Sequence, residues 1–207
     1  MRQRHRGLTI ERWRRLARRV WRATAALSVV WATGCQEPSL KGIAIDPPRV
    51  APPLDVRRAD GSRFTLERER GRAVLLFFGY THCPDICPST LADWARVRRQ
   101  PGLDTSRVRF VFVSVDPQRD SPAIAQAYAA QFDATFIGLS PDTLDLPAIQ
   151  YGFGITSSRE PGGSATEYLV SHAAQSFLVS PDGTLAAMYS FGASVADVTS
   201  DLKALLK

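Results

Sequence analysis

Two nearly continuous apolar runs, Ala73 to Tyr80 and Val108 to Val115, constrain this chain more than any other feature of it. Strands with one face in water alternate polar and apolar residues, whereas unbroken runs of this length suit strands buried on both faces of a sheet. Between them, Leu91 to Arg99 sets Leu91, Trp94, Ala95 and Val97 at helical spacing. The alternation continues with a helix predicted over Pro122 to Phe132, a short strand over Thr135 to Leu139 and a helix over Thr143 to Tyr151. A glycine-rich loop around Gly162 and Gly163 follows. Strands over Ser176 to Val179 and Leu185 to Tyr189 flank Pro181-Asp182-Gly183, a strong turn signal, and a last helix runs from Val195 to Leu206. Ahead of the main sheet, Leu54 to Leu66 with its turn at Asp60-Gly61 fits a hairpin. This order implies a thioredoxin-like α/β sandwich. At 207 residues and 44% hydrophobic, the chain can bury one such core. The apolar runs are short enough to be used up inside it, which implies a monomer.

The net charge of +6 invites a nucleic-acid reading, but residues 1 to 22 hold nine arginines and one acid. The remainder carries 17 bases against 19 acids, and a slightly acidic body offers no electrostatic footprint for phosphates. Nucleic acid is therefore excluded as a partner. The arginine-rich stretch, the apolar run Ala23 to Ala32 and the small residues before Cys35 have the layout of an export signal. Small residues directly before a cysteine resemble a bacterial lipobox, which implies that residues 1–34 are removed and that Cys35 is lipidated at the periplasmic face of a membrane. The alternative is an uncleaved N-terminal anchor. Residues 35–49, rich in proline and without apolar period, read as a tether, and residues 50–207 as the folded domain.

With Cys35 assigned to the anchor, Cys83 and Cys87 are the cysteines left to the domain, so they are read as a pair. They sit in GYTHCPDICPSTL, residues 79–91, which leaves a buried strand and runs into a helix. A spacing of four puts both sulfurs on one side of a helical turn, and a helix N-terminus favours the thiolate, the form that binds metal or attacks a disulfide. A structural disulfide closing so short a loop would stabilise the fold by only about 2 kcal/mol, so a reactive pair is the better reading. Two thiolates seldom complete a metal site, which leaves His82 and His172 as further donors. Soft sulfur with imidazole suits copper, especially Cu(I). His172, just before a predicted strand, is on chemistry alone either a structural histidine or a ligand. His82 neighbours Cys83 but is as readily a supporting or exposed group, and a four-ligand zinc site would have to add His82 or Asp85. Asp116 and Arg119 read as turn chemistry with a local ion pair. Trp94, Phe77 and Phe78 read as core.

The GYTHCPDICPSTL segment resembles the signature of the Sco/SenC family. The resemblance extends to VSVDPQRD, residues 113–120, and to Tyr168 through Gly183, and covers about residues 50 to 207. It implies a thioredoxin-like fold with an inserted hairpin, and copper bound by Cys83, Cys87 and His172. It also implies a metallochaperone role toward the copper-bearing subunit of cytochrome c oxidase, in building its binuclear copper centre. The family often has Asp-His-Ser or Asp-His-Thr at the histidine, whereas this chain has Ser171-His172-Ala173. The same cysteine pair would also serve a thiol-disulfide oxidoreductase that reduces target cysteines before metal insertion. In that role Cys83 and Cys87 would be catalytic and His172 dispensable. A peroxiredoxin-like peroxidase is disfavoured by the Cys-Pro-Asp-Ile-Cys setting.

Overall fold

The computed structural model describes residues 39–207 apart from 162, 163, 165 and 166. The expected export signal and Cys35 lie outside the described residues, as do Gly162 and Gly163. The two apolar runs form β4, Ala73–Gly79, and β5, Val108–Ser114, paired in parallel over their whole length. They occupy the middle of a six-stranded sheet ordered β1-β10-β9-β4-β5-β6, with β1 at Ile43–Val50, β6 at Ile137–Leu139, β9 at Ser176–Val179 and β10 at Thr184–Tyr189. The β6 strand adds in parallel to β5, while β9 runs antiparallel to β4. Among the described residues the α-helices are α1 at Ile86–Arg98, α2 at Pro122–Ala130, α3 at Leu146–Phe153 and α4 at Val195–Leu205. None of the described helices is long and apolar enough to cross a membrane.

Alternate residues of β4 explain why its run is apolar throughout. Leu75 and Phe77 pack with Leu91 and Trp94 of α1, Ala125 of α2 and Leu202 of α4 on one face. Val74, Leu76 and Phe78 pack with Ile149 and Phe153 of α3 and with the hairpin residues Val56 and Phe64 on the other. This is the expected thioredoxin-like sandwich. The N-terminal hairpin is β2, Asp55–Arg57, with β3, Arg63–Thr65; an inserted antiparallel pair is β7, Ser157–Arg159, with β8, Val170–His172. Gly138 in β6 has a local packing reason, since a Cβ there would lie 2.6 Å or less from backbone atoms of Ala125 and Gln126 in α2.

The stretch expected as a tether departs from that reading. From Ile43 it forms β1, which adds antiparallel to β10 with a register shift between Ala44 and Arg49 that takes up Pro47 and Pro48. Its residues are almost all exposed, so no apolar period betrays it, and an outer strand has one ladder in which proline does no harm. A buried carboxylate fixes its start. Asp201 of α4 accepts from the backbone N–H of Lys41 at 2.8 Å, from that of Gly42 at 2.9 Å, and from the Tyr189 hydroxyl at 2.8 Å. Asp201→Ala would leave those donors without their acceptor, and we expect a loss of about 2–4 kcal/mol in urea unfolding. Amide exchange at Lys41 and Gly42 should quicken to match. Unchanged stability and exchange would mean that β1 is held by its ladder alone.

Candidate metal centre

The chain leaves β4 at Gly79, turns through Tyr80 to Pro84, and enters α1 at Ile86. The helix begins five residues before the periodic stretch Leu91 to Arg99 and takes in Cys87, with Pro88 in its first turn. Proline is tolerated there, where N–H groups lack helical partners. One such group, the N–H of Cys87, points at the Cys83 sulfur from 3.5 Å. Cys83 is half-buried and Cys87 fully buried. Gly79 makes room for the latter, since a Cβ on it would stand 2.6 Å from the Cys87 sulfur.

His172, the last residue of β8, reaches this turn from 85 positions away. Its Nε2 lies 3.6 Å from the Cys87 sulfur, and its Nδ1 lies 2.9 Å from the Ala173 carbonyl. A carbonyl only accepts, so Nδ1 carries a proton, and Nε2 is the ring atom that faces the cysteines. The ring stands edge-to-face with Phe77 and Tyr80, at 6.0 and 5.6 Å between centroids. The donor atoms of Cys83, Cys87 and His172 all lie within 4.8 Å of one another. Among the described residues no other histidine, cysteine or acid joins this group. His82 is exposed, 3.1 Å from the Thr81 hydroxyl, and Asp85 meets Ser89 at the helix start. The fourth ligand that zinc would want is thus not assembled.

The thiols differ in acidity. A hydrogen bond from the Cys87 thiol does most to hold Cys83 as thiolate, lowering it to about 4; burial opposes this, while backbone N–H groups of Asp85 and Cys87 and the His172 side chain reinforce it. Cys87 is pushed far upward by that same bond and by burial. The pair therefore shares one proton, held on the buried sulfur.

The turn between β5 and α2 secures both halves. Buried Asp120 accepts from the Thr81 N–H at 2.9 Å, the Thr81 hydroxyl at 2.6 Å and the Ser114 hydroxyl at 2.6 Å, and so holds the cysteine loop. Asp116 accepts from Arg119 at 2.5 Å, the local pair expected, but also from the Tyr168 hydroxyl at 2.8 Å, 52 residues away. Asp120 closes one of the motifs singled out in the sequence and Tyr168 opens another, neither with a role assigned, and nothing local in the sequence shows that they reach across the fold. Phe77 serves as core, as expected, and also as a wall for the imidazole.

Comparison with known proteins places these motifs. The SCO1/SenC family model matches residues 44–207. The mitochondrial SCO2 homolog of Bos taurus is 35% identical over 138 residues, 65% of this chain and 51% of that protein, so the chain spans about half the length of this relative. The solution structure of apo Sco1 from Thermus thermophilus superposes with a TM-score of 0.73 at 34% identity, covering 84% of this chain and all of that one. ScoI of Bradyrhizobium japonicum with copper bound gives 0.69 at 31% identity, over 76% of this chain and 100% of its own.

The unequal thiols make a direct prediction. In the reduced protein, iodoacetamide should modify Cys83 alone. Its rate should stay flat from pH 8 down to about 5, where an ordinary thiol of pKa about 8.5 would lose roughly tenfold per pH unit. A rate with its midpoint near 8.5, or equal labelling of Cys87 in the folded state, would refute this assignment.

Proposed function

Since the chain belongs to the SCO1/SenC family, we propose that it is a copper metallochaperone, carrying copper on Cys83, Cys87 and His172 to the binuclear copper centre of cytochrome c oxidase. The observation that carries this reading is the convergence of two sulfurs and an imidazole nitrogen within 4.8 Å. Two thiolates satisfy Cu(I), and adding a nitrogen donor suits Cu(II), so the set accommodates either state. Copper is cargo here, not a resident cofactor. Cys83, the half-buried thiolate, is the sulfur that an incoming acceptor ligand meets first, while Cys87 anchors the ion from the core. Such a carrier works by ligand exchange and needs no turnover chemistry.

Because the acceptor would be a membrane-bound oxidase subunit, anchoring through a lipid on Cys35 at the periplasmic face keeps the domain at the right surface. One acylated cysteine bearing several chains suffices for stable attachment. Cys35→Ala should release the protein from membranes or block its processing; full retention with an intact N-terminus would favour the uncleaved anchor.

The acidic Cys83 thiol also suits thiol-disulfide exchange on the acceptor's cysteines, the second reading. Variants separate the two. Cys83→Ala and Cys87→Ala should each abolish tight copper binding. His172→Ala should keep some Cu(I), lose most Cu(II) affinity with its sulfur-to-copper absorption, and leave the dithiol potential within about 30 mV. Loss of oxidase assembly in cells carrying His172→Ala establishes copper handling. Full assembly without this imidazole would discard it in favour of the reductase.

A further inference from the structure

His172 is delivered by a slender element. The β7–β8 pair matches three residues on each strand, so its own ladder does little to fix where the imidazole stands. Four residues before His172, however, the chain is gripped firmly. The Arg119 guanidinium lies 3.6 Å from the centre of the Tyr168 ring, donates to the Tyr168 carbonyl at 2.9 Å and pairs with Asp116 at 2.5 Å. The Tyr168 hydroxyl donates to the other oxygen of the same carboxylate. Arg159, in β7, stacks on that ring as well, at 4.1 Å. Arg119 also approaches Tyr80, whose ring contacts His172, at 5.7 Å. All three of Asp116, Arg119 and Tyr168 are nearly buried, with side chains of Arg119 and Asp116 at 11% and 5% exposure, so these bonds are shielded from water.

We propose that Arg119 and Tyr168, closed on Asp116, form a latch that holds His172 at the distance copper coordination requires, making them positioning residues for the imidazole though neither offers it a donor. The inference rests on the copper reading above. The two cysteines have a separate tie, because their loop is bonded to Asp120 through Thr81 and meets the latch at the edge, where Arg119 approaches the Tyr80 ring. Opening the latch therefore removes the nitrogen donor and spares the dithiol.

Arg119→Lys keeps a cation beside Asp116, so folding survives, but an ammonium cannot pair with the carboxylate, bond the Tyr168 carbonyl and cover the ring together. Tyr168→Phe removes only the hydroxyl and tests the same closure more gently. Both variants of the full chain, alone and combined with His172→Ala, are titrated with Cu(II) and with Cu(I), and amide exchange is followed without metal. Arg119→Lys should weaken Cu(II) binding about tenfold or more, in the range seen when the supports of a ligating histidine are removed, and leave Cu(I) binding within about threefold. In the His172→Ala background it should cost nothing further, because the donor it positions is gone. Exchange at Val170 to His172 should quicken while the cysteine loop stays protected. Equal losses with and without the imidazole, or unchanged Cu(II) binding and β8 exchange, would overturn the latch. The two ideas fail differently: if His172→Ala alone leaves Cu(II) binding intact, the ligand set is wrong and the latch falls with it.

Discussion

The copper site depends first on two buried carboxylates in one turn. Asp116 and Asp120 both follow β5 and face different parts of the chain, and the Ser114 hydroxyl donates to the Asp120 carboxylate while accepting from the Asp116 backbone N–H. Asp120 takes the cysteine loop through Thr81, and Asp116 takes the histidine hairpin through Tyr168. Burying a carboxylate costs several kcal/mol unless its oxygens are met by donors, so each demands its full set of partners in place. That demand sets the geometry. Apolar side chains of equal volume would fill the same space, but they would tolerate sliding, and a donor triangle of a few ångströms does not. The parallel pairing of β4 with β5 supplies the platform, since it brings Gly79 level with Ser114 and so sets the cysteine turn beside the carboxylate turn.

How much of this was legible follows from where the signals are stored. The central strands and the helices were visible because burial on two faces, or on one stripe, writes a period into the sequence. The edge strand β1 was not, because its residues face water and its prolines sit where a single ladder accommodates them. Its anchor is Asp201, about 160 positions away, and no local pattern shows which N–H groups a carboxylate accepts from.

At the candidate metal centre, the sequence pointed to candidate donors but not to their arrangement. Cys83 and Cys87 declared themselves by spacing, and family resemblance singled out His172. Their convergence within 4.8 Å is a tertiary fact. The roles of Tyr168, Arg119 and Asp116 lie in contacts spanning about fifty residues, and a reading confined to the Val-Asp-Pro turn correctly finds the ion pair while missing what it holds.

The three donors also differ in how firmly the fold holds them, and that difference suits temporary custody of an ion. Cys87 is locked into a helix whose Leu91 and Trp94 are buried in the core, and Cys83 sits on the turn that enters that helix. Moving either sulfur would disturb packing worth about 1.5–3 kcal/mol for each large side chain exposed. His172 rides on three residue pairs of ladder and on the Tyr168–Arg119–Asp116 contacts, an arm separate from the helix that carries Cys87. A site with two fixed thiolates and one donor on a separable arm can lose the imidazole first. On the proposed carrier reading, the ion would then remain on sulfur, on the side where Cys83 is partly open to solvent. In that proposed role, an acceptor's ligand would enter there without the sandwich unfolding, which a site built wholly on rigid elements would not allow.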